Sequence, residues 1–183
     1  MRIFLVFVVL FVCCATLHAS PDVLQDNLMG TLLRNAPGLN PEVLKSALKA
    51  NACAAKQRII NSNQILTVID YSLPSSKKRL WTFDLKAERV LFNEFVAHGK
   101  NSGENETTAV SNADGSLMTS VGVYLTANPY IGKNGYSLRL VGLEKGFNDN
   151  VLSRAVVLHG AWYVSDEMIQ NYGRQIAMKE HCR

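Results

Sequence analysis

A chain of 183 residues, 48% of them hydrophobic and 19% charged, is long enough to fold around one sizeable core and too apolar to be disordered. Its formal net charge of +4 comes from 19 basic and 15 acidic residues, which are scattered without interleaved aromatic side chains. This distribution argues against a nucleic-acid-binding surface and indicates a solvated surface of mixed charge.

The first 19 residues predict a secretory signal peptide. Met1 and Arg2 precede an apolar run from Ile3 to Leu17, and Ala19 follows as the expected cleavage point. At about 1.5 Å per residue this run reaches roughly 22 Å, less than the hydrocarbon core of about 30 Å, so we expect no retained membrane span. The expected location of the mature chain is the periplasm or another extracytoplasmic part of the cell envelope.

Two helices are predicted within a segment covering residues 20–58. Apolar residues recur at helical spacing from Asp22 to Asn35 and stop at a Pro-Gly pair. A second helix begins after Asn40, which is a good N-cap, with Pro41 at the first helical position. Its apolar stripe fades near Ala55. Both helices are predicted to be structural.

From Gln64 onward the apolar period changes to that of β-strands. Six segments are rich in β-branched and aromatic residues and are separated by turn signals. They are Ile65–Tyr71, Arg79–Leu85, Arg89–Ala97, Leu117–Leu125, Ser137–Leu143 and Ala155–His159. A long polar loop, His98–Ser116, divides them, and Ser165 caps a short C-terminal helix that runs to Tyr172. Closely spaced strands after two helices predict a mainly β domain of the β-sandwich or barrel type.

Two of the four cysteines, Cys13 and Cys14, lie in the predicted signal peptide. Lipid attachment there is an alternative that Val12 disfavours, because a small residue is usual at that place. Cys53 and Cys182 remain, which are too few for a disulfide-built scaffold. In an oxidising compartment an unpaired cysteine is unusual unless it is buried or reactive, so pairing between these two stays open as an alternative.

The histidines give the sharper signal for chemistry. His159 ends an apolar strand and is followed at once by Gly160, a setting that suits a general base because glycine permits close approach. On spacing alone, a hydrogen-bonded structural histidine is the favoured alternative. His98 ends another strand before Gly99, and there the structural alternative is stronger still. No two histidines stand at metal-ligand spacing, so no metal site is predicted.

Several blocks in the second half of the chain resemble the YkuD-like family of murein L,D-transpeptidase catalytic domains. They follow one another in order and at suitable spacing between Gln64 and Arg174, and the ordered set is more specific than any single block. The blocks are Ile65–Tyr71, Lys78–Trp81, Val96–Gly103, Ser111–Asn112, Tyr130–Lys133, Leu143–Asn150 and Val157–Ala161.

The resemblance implies an L,D-transpeptidase-like fold over residues 59–183 and a thiol acyltransferase that needs no metal or organic cofactor. In that family a cysteine thiolate attacks the carbonyl of the third stem residue, usually diaminopimelate, and the terminal D-alanine leaves. An amine from a neighbouring stem then resolves the thioacyl-enzyme. The implied partners are peptidoglycan stem peptides, with no nucleic acid and no membrane span after signal cleavage. The oligomeric state stays open.

The resemblance also assigns the site residues. His159 matches the family's motif histidine, the expected base and orienter, and Gly160 matches the glycine beside it. Arg174 matches the arginine that leads into the nucleophile turn. His98 and Gly99 match a block that lines or braces the cleft.

The candidate nucleophile departs from the family pattern. That pattern is a serine or threonine, one variable residue, glycine and cysteine, whereas Cys182 follows Glu180 and His181 and stands about one place late. Loss of the glycine opposes the expected turn, and a neighbouring carboxylate makes a thiol less acidic. Cys182 is therefore a poor candidate nucleophile.

Because the resemblance ends abruptly near Gln175, we expect a domain that is incomplete at its C-terminus, by truncation or a shift of reading frame, and impaired in activity. A domain that binds peptidoglycan without catalysis, or a degenerate gene product, is the main alternative. A papain-like hydrolase fits poorly, because Cys182 follows the candidate histidine in the chain and no helix begins at it.

Overall fold

The computed structural model describes residues 21–60 and 64–176, with side chains from residue 26 onward. The predicted signal peptide and Cys182 lie outside the described residues. Three helices and six strands follow one another along the chain. They are α1 (Pro21–Asn35), α2 (Pro41–Lys56), β1 (Ile65–Ile69), β2 (Lys78–Asp84), β3 (Arg89–Phe95), β4 (Tyr124–Gly132), β5 (Gly135–Gly142), β6 (Val157–His159) and α3 (Asp166–Tyr172).

Short-range capping signals set the start of α2. The side chain of Asn40 accepts a hydrogen bond from the backbone N–H of Glu42 at 2.9 Å, and Pro41 occupies the first helical turn, where a missing N–H costs nothing. The buried carboxylate of Asp70 accepts from the backbone N–H of Asn40 at 3.2 Å and from that of Ser72 at 3.0 Å. Asp70 therefore ties the end of β1 to the beginning of α2.

The first sheet is an antiparallel meander in the order β1-β2-β3, and one of its faces carries the main core. Val68 lies opposite Trp81, and Phe83 follows two residues later on the same face of β2. These three side chains pack with Leu32 of α1 and Leu44 of α2 in one buried cluster. Burying each large apolar side chain contributes about 1.5–3 kcal/mol, so the helices and the first sheet stabilise one another.

The second sheet is an antiparallel meander in the order β4-β5-β6. A tight turn joins β4 to β5, with Gly132 paired to Gly135, and Gly135 has the positive φ of 80° that such a turn requires. Of the residues in these three strands, all of which are described, only Ser137 is buried. The second sheet is thus a thin platform whose side chains remain largely accessible.

One predicted strand is wrong. Leu117–Leu125 is mostly irregular, and the strand in this region is β4, which begins only at Tyr124. Leu117 and Gly122 have φ values of 55° and 126°, which a strand does not allow. The backbone N–H of Thr119 donates to Ser102 Oγ at 2.8 Å rather than to a neighbouring strand. Single hydrogen bonds with the long loop, including those from Asn101 N–H to the Leu117 carbonyl and from Ser111 N–H to the Thr119 carbonyl, therefore replace the expected ladder.

The predicted fold class is confirmed, since six antiparallel strands in two sheets dominate the described part of the chain and are preceded by two helices. The short helix capped by Ser165 is present as α3, and the Ser165 hydroxyl accepts from Met168 N at 3.3 Å. Among the described residues, no helix has the length and apolar character needed to span a membrane. The proposed division at residues 58 and 59 stays a prediction.

Candidate active site

His159 is the last residue of β6, as the sequence pattern predicted, and its ring is only partly buried. Nδ1 lies 2.8 Å from the carbonyl oxygen of Gly160. Because a carbonyl oxygen only accepts, Nδ1 must be the donor, and in the neutral ring this leaves the lone pair on Nε2. The backbone therefore selects the tautomer in which Nε2 can take up a proton.

His159 stands in a row of three side chains that crosses the second sheet. The register pairs Tyr130 with Ser137 and Ser137 with His159, so the three side chains point to the same face. Adjacent strands are about 4.8 Å apart, which separates the two rings by roughly 10 Å with the small Ser137 between them. Ser137 Oγ donates to the carbonyl of Gly135 at 3.0 Å. Ser137 is therefore the covered, central member of this row.

His98 has the opposite arrangement. Its side chain is buried, Nε2 lies 3.2 Å from the carbonyl oxygen of Gly103, and Nδ1 lies 3.0 Å from Arg79 Nη2 and 3.2 Å from Thr107 Oγ1. A guanidinium only donates, so Nδ1 accepts and Nε2 carries the proton. Burial lowers the pKa of His98, and the positive charge of Arg79 lowers it further, against the opposing effect of the Gly103 carbonyl. His98 is thus a neutral brace with both ring nitrogens engaged.

Arg79 is a buried residue to which no role was assigned from the sequence. Its guanidinium donates to the carbonyls of Val96 at 2.9 Å and Leu73 at 2.7 Å as well as to His98, and it lies 4.9 Å from the ring centroid of Tyr71. Burial lowers its pKa, and it forms no ion pair among the described residues. An arginine directly before Leu80 and Trp81 in a predicted strand was the signal that could have identified it.

The two glycines that follow these histidines have different surroundings. A Cβ on Gly99 would lie 2.5 Å from the carbonyl oxygen of Leu117 and 2.7 Å from Thr119 N, so glycine is required where the long loop crosses the neighbouring backbone. A Cβ on Gly160 would meet no atom within 4 Å. Steric contacts therefore require glycine at position 99, whereas the described structure has room for a side chain at position 160.

Arg174 and Gln175 fix the chain as it leaves α3. Arg174 Nη1 forms a 3.0 Å ion pair with Glu104 of the long loop. Gln175 is buried, its backbone N–H donates to Ser75 Oγ at 3.2 Å, and its side-chain amide exchanges two hydrogen bonds with the backbone of Ser165. The segment that leads toward residue 182 is therefore held against the loop that His98 braces.

The predicted site residues thus fall into two groups. His98, Gly99 and Arg174 meet around the long loop, and the charge of Arg174 contributes to the lowered pKa of His98. His159 and Gly160 lie at the end of the second sheet, and Cys182 lies outside the described residues. Within the described ranges no group of three or more His, Cys, Asp or Glu residues could hold a metal ion.

A shallow surface cavity of about 170 Å³ has none of the predicted site residues in its lining. Its walls are formed by Val110, Ser111, Asn112, Val121, Gly146 and Phe147.

Comparison with protein families identifies the class of this domain. A family model described as the L,D-transpeptidase catalytic domain matches residues 35–177. The match covers more than half of the chain, so the chain belongs to this family, and the predicted YkuD-like resemblance is confirmed. The family acts on peptidoglycan. Comparisons with curated proteins and with solved structures gave no significant match.

Proposed function

We propose that this domain carries out acyl transfer on peptidoglycan stem peptides outside the cytoplasmic membrane, with His159 as the general base. The observation that carries the proposal is the tautomer of His159. Its Nδ1–H is bonded to the Gly160 carbonyl, and Nε2 offers a lone pair at the partly exposed end of a strand. An imidazole held in this tautomer presents the lone pair that a general base needs to take a thiol proton.

The proposed reaction has two steps. The thiolate sulfur attacks the carbonyl carbon that joins the third stem residue to the terminal D-alanine. The C–N bond breaks, the imidazolium returns its proton to the leaving amine, and a thioester remains. An amine from a second stem then attacks the thioester and gives one N–H proton to the imidazole, and the C–S bond breaks to form the new amide and release the thiolate, which takes up that proton again as a thiol.

Cys182 is the candidate nucleophile, and we propose that its activity is impaired. It follows His181, where the family has glycine, and Glu180, whose carboxylate disfavours the thiolate. Arg174 pairs with Glu104 of the long loop and Gln175 bonds to Ser75, which supports a scaffold that is retained as far as residue 175.

A second candidate function is binding of stem peptides without catalysis. The same departure around Cys182 favours it, because a site can keep its binding groups after the nucleophile turn has lost its serine or threonine and its glycine. The two functions differ in one observable, the covalent thioester.

The test is intact-mass spectrometry of the purified chain after incubation with a stem tetrapeptide that ends in diaminopimelate and D-alanine. An adduct that is lost in Cys182→Ala and strongly slowed in His159→Ala supports acyl transfer. Faster adduct formation in His181→Gly supports impairment by the missing glycine. Reversible binding in a parallel calorimetric titration, with no adduct in any variant, supports the second function, and the absence of both binding and adduct refutes both.

A further inference from the structure

Arg139 shares a face of the second sheet with His159. Ser137 lies opposite His159, and Arg139 follows Ser137 by two residues on β5. The side chains of Ser137 and Arg139 therefore lie on the same face of the sheet as the side chain of His159. The pairing of Tyr130 with Ser137 brings Tyr130 to the same face. Register alone therefore places a base, a cation and an aromatic ring together.

The guanidinium of Arg139 is stacked on Tyr130. Its central carbon lies 4.2 Å from the ring centroid, while the side chain remains exposed. The three ion pairs in the described part of the chain involve other residues, so Arg139 has no carboxylate partner there. Attraction between the cation and the face of the ring restrains the position of the guanidinium.

A held guanidinium with unoccupied donors matches one ligand chemistry particularly well. Two parallel N–H groups bind both oxygens of a carboxylate, which adds geometric selectivity to the charge. Phosphate offers similar oxygens, but the family substrate is a peptide that carries carboxylates.

The distance between Arg139 and His159 on the sheet suits such a ligand. Diagonal neighbours on adjacent strands have Cα atoms about 7–8 Å apart, which is the relation between Arg139 and His159. The guanidinium lies over Tyr130, on the side of β5 opposite to His159, so a peptide that contacts both groups spans roughly 10 Å.

We propose that Arg139, held by Tyr130, is a carboxylate-binding subsite for the peptide on which His159 acts. The bound group is either the terminal carboxylate of D-alanine or the side-chain carboxylate of diaminopimelate, one residue from the scissile carbonyl. This inference rests on the proposed function, since it assumes that stem peptides occupy the His159 face.

The test measures binding by titration calorimetry, with the full chain and three tetrapeptides. One peptide carries both carboxylates free, one ends in D-alaninamide, and one has the diaminopimelate side-chain carboxylate amidated. Arg139→Gln is expected to weaken binding of the free peptide at least tenfold. The substitution should not weaken binding of the peptide in which amidation has already removed the carboxylate that Arg139 binds. The peptide that behaves in this way identifies which carboxylate is bound.

Two further variants separate a specific contact from a general charge effect. Arg89→Gln removes an exposed positive charge, paired with Asp84, from β3 of the first sheet and is expected to leave all three affinities unchanged. Arg139→Lys keeps the charge but loses the planar fork, and is expected to restore only part of the affinity.

The outcomes distinguish this proposal from the proposed function. If the wild-type chain binds the peptides and Arg139→Gln leaves binding unchanged, or weakens all three peptides equally, the subsite is overturned while the function stands. If the wild-type chain binds none of the peptides, the proposed function fails and the subsite fails with it.

Discussion

Replacing His98 with alanine is expected to destabilise the fold by about 3–5 kcal/mol, while the same change at His159 costs less than about 1 kcal/mol. The difference follows from the two environments. His98 is 6% exposed and satisfies a buried guanidinium and a backbone carbonyl. His159 stands at the end of a strand, and its one described hydrogen bond is to the adjacent residue.

The magnitude for His98 comes from three contributions. Losing the acceptor for Arg79 Nη2 at 3.0 Å removes a hydrogen bond to a charged group, worth about 1.5–3 kcal/mol. The Gly103 carbonyl loses its donor at 3.2 Å, which costs about 1 kcal/mol. The cavity left by the ring adds on the order of 1 kcal/mol.

Urea denaturation followed by far-ultraviolet circular dichroism measures both variants. His98→Asn is the matched control, because its amide oxygen can replace Nδ1 as the acceptor for Arg79 and should recover about half of the loss. Equal destabilisation of His98→Ala and His159→Ala would refute the assignment of a brace and a free base to the two histidines. If His98→Asn is no more stable than His98→Ala, the stabilisation assigned to the hydrogen bond from Arg79 is refuted.

Three other predictions concern the same region. Because the pKa of His98 is lowered below its ordinary 6.5 in the folded state, the unfolded chain binds the proton more readily, and stability should fall as pH drops below 6.5. The slope should be at most about 1.4 kcal/mol per pH unit for this group, and urea midpoints should show a flatter dependence in His98→Asn. Gly99→Ala should cost more than about 2 kcal/mol because a backbone carbonyl lies 2.5 Å from the new Cβ, whereas thermal melts should show Gly160→Ala near wild type. Glu104→Gln should lose less than about 1 kcal/mol, since its ion pair with Arg174 is exposed, and a loss that persists in 1 M salt would contradict this.

The parts of the fold that could be predicted depend on neighbours in sequence. Asn40 and Pro41 determine the start of α2 through contacts within three residues, and Ser165 does the same for α3. The segment Leu117–Leu125 failed because its hydrogen bonds reach residues such as Ser102, which lie far away in the chain. The alternation of apolar residues carries no information about hydrogen bonds to residues that are distant in the sequence.

The candidate site divides in the same way. A histidine followed by glycine at a strand end could be read from the sequence, and His159 does end β6. The role of Arg79 could not be assigned, because its partners Val96 and His98 come from a loop folded over it. The subsite at Arg139 depends on strand register, which is defined only once β4, β5 and β6 have paired.

The bond between Gln175 and Ser75 joins residues that are 100 positions apart, which has a consequence for the order of folding. Closing a loop of that length costs about 3 kcal/mol more chain entropy than closing a hairpin turn. The local hairpins of both sheets can therefore form early, whereas the segment at Gln175 docks only after Ser75 has reached its final place. A chain arrested before that step would have most of its secondary structure, but Gln175 would not yet be anchored on Ser75.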